Sequence, residues 1–201
     1  MNIFFAILIS TLVHAEDKAP IFPQACQEKC STPFGARLGA TSDGVESYSN
    51  CQPKCVYQKP SLLGTDFAGI EWQCVEFARR WLMKEKGLTF GSIDVAADLW
   101  GKVDHLDNLK TKERVPLQQV LNGAKEPPAP GELLIYGRDY LETGHVAVVL
   151  RVSRKRQLLY VGEENFGNTP WPGNFSREIP YIKRGAEVWV LDHYLMGWLK
   201  Y

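Results

Sequence analysis

Five cysteines cannot all pair within one chain, so at least one thiol stays free or finds a partner elsewhere. Four of them form a twin pattern, Cys26-x-x-x-Cys30 and Cys51-x-x-x-Cys55, separated by a segment rich in Gly, Ser, Thr and Asn, while Cys74 stands apart. Whether the four are cross-links or ligands depends on the compartment. Residues Ile3 to Val13 are mostly apolar and lead into Val13-His14-Ala15 ahead of Glu16-Asp17-Lys18, the pattern of a signal peptide cleaved after Ala15, although no Lys or Arg precedes the run. The stretch is shorter than the roughly 20 residues that span a bilayer. The mature chain is therefore expected to start near Glu16, in a secreted or periplasmic setting and free of the membrane. There the four thiols read as two disulfides. Four thiols allow three pairings and the sequence does not choose; the nested one, Cys26 with Cys55 and Cys30 with Cys51, is the working expectation. The competing reading, a zinc site built from all four, needs reduced thiolates and often uses shorter C-x-x-C spacing.

Lys plus Arg number 23 and Asp plus Glu 23, so the chain offers no excess positive charge for counterion release from nucleic acid. A 45% hydrophobic content argues for one ordinary globular domain. From Cys74, the residues Phe77, Ala78, Trp81 and Leu82 recur at helical spacing, with Glu76 and Arg80 four apart on the face expected to be wet and Gly87 ending the helix. A second helical piece is expected over 94–99. Past Lys125-Glu-Pro-Pro-Ala-Pro-Gly131 the pattern changes to strands over 132–136, 145–152 and 157–162, the last two joined by a basic, solvated turn at Ser153–Arg156. Helix first and antiparallel sheet second predicts an α+β fold.

Cys74 opens an amphipathic helix, where unpaired N–H groups and the positive end of the helix dipole favour a thiolate. A lone cysteine there is more often a small core residue. It gains meaning from His145, which opens a strand in Thr143-Gly-His-Val-Ala147, and from Glu163, which closes the next in Val161-Gly-Glu-Glu-Asn165. A hairpin about 153–156 sets residue 145 opposite roughly 164, bringing base and acid side by side. Nucleophile, base and orienter together suit acyl transfer. Glu164 is the alternative orienter if the register differs by one. His193 is the rival base but lacks the glycine-histidine-strand setting; His14 falls in the signal and His105 in a charged segment.

The run Trp72-Gln-Cys-Val-Glu-Phe-Ala-Arg-Arg80 resembles the CHAP (cysteine, histidine-dependent amidohydrolase/peptidase) family, in particular the amidase domain of glutathionylspermidine synthetase/amidase enzymes. Pro33-Phe-Gly35, Thr143-Gly-His-Val-Ala147, Glu163-Glu-Asn165, Trp171 and Gly197-Trp198 extend the likeness over about 33–201. The resemblance implies a papain-like fold in which a helix carrying Cys74 packs on a sheet carrying His145 and Glu163. It implies Cys74 as nucleophile, His145 as general base and then acid, Glu163 as orienter, Gln73 as support for the oxyanion hole, and Arg79 and Asn165 beside the acyl part of the substrate. No cofactor or metal is implied. The expected layout is 1–15 signal peptide, 16–32 N-terminal segment with the first Cys pair, and 33–201 CHAP amidase domain. No synthetase domain follows, so this chain is expected to hydrolyse an amide, either a glutathionylspermidine-like amide or a peptidoglycan peptide. A catalytically silent binding module of the same fold is the alternative. Asn174-Phe-Ser176 is a glycosylation sequon.

Overall fold

A computed structural model describes residues 21–201; the proposed signal segment lies outside the described residues. The first strands among the described residues form two small antiparallel hairpins, β1 (Arg37–Ala40) with β2 (Glu46–Tyr48) and β3 (Pro60–Leu63) with β4 (Asp66–Ile70). Helix α1 (Cys74–Lys86) follows directly. Its first residue comes after an extended Gln73, and it ends on Gly87 in the left-handed region at φ 64°, the conformation that favours glycine after a helix. Three short strands, β5 (Leu88–Thr89), β6 (His105–Asn108) and β7 (Arg114–Pro116), make a third small sheet, with a four-residue helix α2 (Leu99–Lys102) between the first two.

The remaining strands are β8 (Gln118–Leu121), β9 (Leu133–Tyr136), β10 (His145–Ser153), β11 (Leu158–Gly162), β12 (Arg177–Arg184), β13 (Glu187–Val190) and β14 (Leu195–Lys200). They build one antiparallel sheet in the order β13-β12-β11-β10-β9-β14-β8. The mixed α+β class follows from the sequence as expected. Strand β9 is buried at all four positions because both faces of the sheet are covered. Leu133 and Ile135 join Phe77, Ala78, Trp81 and Leu82 of α1, with Val146, Val148 and Leu199, in one cluster. Leu134 and Tyr136 point the other way, into a second cluster closed by Ile179, Tyr181, Val188 and Val190 of the curled sheet end.

Three expectations need correction. Glu76 and Arg80 are not on a wet face: Glu76 is 0% and Arg80 8% exposed, because the β3–β4 hairpin covers the flank of α1 that the sheet leaves open. The second helix starts two residues late, as a single 3-10 turn over Ala96–Asp98 that runs into α2, since Val95 is extended and the Ala97 N–H is taken by the Thr143 carbonyl. The hairpin register also differs. The ladder pairs Val149 with Val161 and Ser153 with Leu158, with a bulge at Leu150, and it ends at Val148 and Gly162. The backbone partner of His145 is consequently Tyr136 of β9.

Candidate active site

The residue that opens α1 and the residue that opens β10 meet where helix packs on sheet. Gly144 makes the entry to β10 possible: at φ 70° it passes so close to the Tyr136 carbonyl and to Ala97 that a Cβ would run into both. His145 is 1% exposed. Its Nε2 donates to Glu163 Oε2 at 2.8 Å, and its ring is packed by Tyr136, Tyr140 and Phe166 with centroids at 5.4, 5.7 and 5.3 Å. With Nε2 committed, Nδ1 is the nitrogen left to serve Cys74, which lines the same cavity. Burial acts to lower the His145 pKa, but Cys74, through charge and hydrogen bond, and then Glu163 outweigh it and raise it to about 9.

Glu163 follows the last residue of β11 and is buried at 1% exposure. Its Oε1 accepts from Arg177 Nε at 2.6 Å and from Ser176 Oγ at 3.1 Å. Burial would push its pKa up, yet Arg177 and His145 hold it down at about 2. Arg177 in turn donates from Nη1 to Asp192 Oδ2 at 2.7 Å and from Nη2 to Tyr136 Oη at 3.0 Å, while Tyr136 Oη donates to Asp192 Oδ2 at 2.7 Å. Glu164 points elsewhere: its Oε1 accepts from the Tyr48 N–H at 2.8 Å and from Arg80 Nη2 at 2.9 Å. Glu163 alone of the two reaches the histidine. His193, the rival base, is exposed and stacks edge-on against Tyr194.

Cys74 and His145 line a cavity of about 490 Å³, within the usual range for small-molecule sites. Gln73, Arg79, Asn165 and Tyr140 share its wall with the apolar Val56, Phe67, Ile70 and Ile93. Arg79 is 3% exposed and donates to the carbonyls of Phe90, Ala68 and Gly91 at 3.1, 2.8 and 2.9 Å; burial lowers its pKa to about 10. Gln73 Nε2 donates to Asn50 Oδ1 at 3.1 Å and to the Cys55 carbonyl at 3.0 Å, and its Oε1 accepts from Asn165 Nδ2 at 2.9 Å. Disulfides join Cys26 to Cys55 and Cys30 to Cys51, with Cα separations of 4.7 and 4.2 Å, so the residue before Cys74 rests on a cross-linked loop. Cys74 is the free, buried cysteine. Among the described residues no His, Cys, Asp and Glu cluster fits a metal ion, and no helix is long and apolar enough to cross a membrane.

Reasoning from sequence missed Arg177, Asp192, Tyr136 and Asn50. Ser176 was read only as part of a sequon, whereas its hydroxyl serves Glu163. The acceptor Asn174 is exposed.

Comparison with known proteins adds the family. The CHAP domain model matches residues 65–165, a span that holds Cys74, His145 and Glu163 and stops short of Arg177 and Asp192. Similar curated proteins include trypanothione synthetase of Crithidia fasciculata, 29% identical over 160 residues that cover 79% of this chain and 24% of that protein. The bifunctional glutathionylspermidine synthetase/amidase of Escherichia coli K12 is 28% identical over 184 residues, 83% of this chain and 29% of that enzyme. Glutathionylspermidine synthase of Crithidia fasciculata is 30% identical over 191 residues, 83% and 26% respectively. The chain thus spans less than a third of the length of the relatives it matches.

Proposed function

Because the chain belongs to the CHAP domain family, we propose that it is an exported cysteine-dependent amidase or peptidase that cleaves a C–N bond through a thioester. One observation carries this reading: the buried imidazole of His145 is hydrogen-bonded through Nε2 to Glu163 and shares with Cys74 the wall of a cavity sized for a peptide amide. The Cys74 thiolate attacks the carbonyl carbon, and the carbonyl electron pair moves to oxygen. The Cys74 backbone N–H, among those at a helix start with no partner in the helix, hydrogen-bonds that oxygen, while Gln73 supports the hole by holding the turn into α1. On collapse the C–N bond breaks and His145 gives its Nδ1 proton to the departing amine. The neutral imidazole then takes a proton from water, the hydroxide attacks the thioester, and the acid leaves with the thiolate and imidazolium restored. Glu163 holds the ring in one orientation throughout. Arg79 and Asn165 contact the acyl part.

In this reading 33–201 is the catalytic unit with a papain-like arrangement, and 16–32 is an N-terminal segment tied to it by the disulfides. The apolar stretch at 1–15 and the two cysteine pairs support an oxidising destination outside the cytoplasm. The names of the relatives favour a glutathionylspermidine-like amide, while export favours a peptidoglycan peptide. Incubating the mature protein with each and following amine release separates the two. Cys74→Ala is expected to abolish release; turnover equal to wild type in that variant would overturn Cys74 as nucleophile, and no release by the wild type from any tested amide would leave a binding module of the same fold.

A further inference from the structure

Behind Cys74 the charged groups alternate in sign, Asp192, Arg177, Glu163 and His145, and with Cys74 the five residues come from five parts of the chain. We propose that Arg177 is a positioning residue for the reaction: it holds the buried Glu163 as a carboxylate in the one orientation that keeps His145 protonated beside Cys74. The inference rests on the thiol amidase reading above. Two geometric facts support it. Glu163 has no exposed side-chain surface, so an ionised form there needs a counter-charge, and Arg177 supplies it through Nε to Oε1 at 2.6 Å and Nη2 to Oε2 at 3.4 Å. Arg177 is itself over-determined, since Asp192 and Tyr136 take its other donors and the Phe166 ring lies 3.9 Å beneath it. Phe166 also packs on His145, so one ring fixes both ends of the carboxylate bridge.

Every charged or titratable neighbour of Glu163 takes part in this balance. His145 comes from β10, Arg177 from β12, Tyr136 from β9 and Asp192 from the turn after β13; Ser176 adds a neutral hydroxyl, Cys74 of α1 and Tyr140 lie on the far side of the imidazole, and the Glu164 carboxyl turns to Arg80. Without the guanidinium, burial protonates Glu163, the imidazolium loses its anionic acceptor, and the thiolate loses its counter-ion. A purely structural arginine would change stability and leave these pH limits in place.

The test reads the pair without needing the natural substrate. Cys74 in the native protein is alkylated with iodoacetamide across pH, the sulfur–carbon bond forming as iodide leaves, and the adduct is followed by mass. In wild type, alkylation is expected to persist at pH 6 and faster than for a free cysteine. In Arg177→Met the acid limb is expected to move up by about one pH unit, with Arg177→Lys moving less than half as far because one ammonium cannot reach Glu163, Asp192 and Tyr136 together. Turnover of whichever amide proves active should fall through kcat, with KM unchanged. If Arg177→Met fails to fold, Arg177→Lys and Asp192→Asn carry the test, both expected to shift the limb upward. Folded variants with a wild-type limb would overturn the role of Arg177 while leaving the Cys74–His145 pair intact. A wild-type Cys74 no more reactive at pH 6 than free cysteine would overturn the pair, and this inference with it.

Discussion

Glu163 and Glu164 are neighbours in sequence, equally buried at 1% exposure, and opposite in electrostatics. Glu163 faces His145 and shares Arg177 with Asp192, so its carboxyl is held at about 2, below the ordinary 4.5. Glu164 faces the helix side, where it shares Arg80 with Glu76; burial first, and then Glu76, push it well above 4.5. One arginine beside two buried carboxyls neutralises one of them, so the other keeps its proton. The pH consequences have opposite sign. The lowered Glu163 contributes stability that is present above about 4.5 and lost as pH falls through about 2. The raised Glu164 contributes stability present below about 4.5 and lost as pH rises through its folded value. Two adjacent acids thus separate into an ionised one that holds His145 and a protonated one that serves the scaffold.

Substitutions sharpen that contrast. Glu163→Gln, which keeps the shape and removes the charge, is expected to lower kcat by about 100-fold or more, measured by amine release with the folded fraction checked by circular dichroism. Arg80→Met leaves two buried acids without a cation and is expected to cost about 3–5 kcal/mol in denaturant unfolding. Turnover per folded molecule should stay near wild type, and a collapse in kcat as large as that of Glu163→Gln would erase the distinction between the two sides. Ser176→Ala removes one hydrogen bond from Glu163, an effect of about 1 kcal/mol or less in either stability or barrier. The smallest effect belongs to Glu164→Gln. An amide mimics the protonated acid, so stability at pH 4 should change by roughly 0.5 kcal/mol or less, and the decline in stability as pH rises above about 4.5 should flatten. A separate pH profile checks the histidine: turnover should fall as pH rises past about 9, where the imidazolium is lost.

Much of the site is legible in the chain because it stands at element starts. Helical spacing after Cys74 sets its place at the head of α1, and Gly144 ahead of an apolar run marks His145 as the first residue of a strand. The partners of Glu163 were hidden for a different reason. Arg177 and Asp192 arrive from β12 and the turn after β13, and their side chains meet only because the sheet curls, which periodicity does not encode. Glu76 and Arg80 were misread since an i,i+4 charged pair has the same pattern whether water or a second hairpin covers it. The bulge at Leu150 moved the hairpin register, and bulges leave no mark in a run as uniformly apolar as Val146–Leu150. Even so, Glu163 still meets His145, because a long side chain at the end of β11 tolerates a shift that backbone pairing does not.

Strand β14 has a bearing on the order of assembly. It lies between β9 and β8 near one end of the sheet, with Trp198 buried toward one face and Leu199 toward the other. A ribosome or a translocation pore delivers it after every other described strand. Until then β9, whose Tyr136 backs both His145 and Arg177, presents an open edge, and an open edge is where strands mispair. A nascent chain therefore holds Cys74, His145 and Glu163 well before it holds the strand that sets them in place, so the proposed site is completed only once Lys200 has been added.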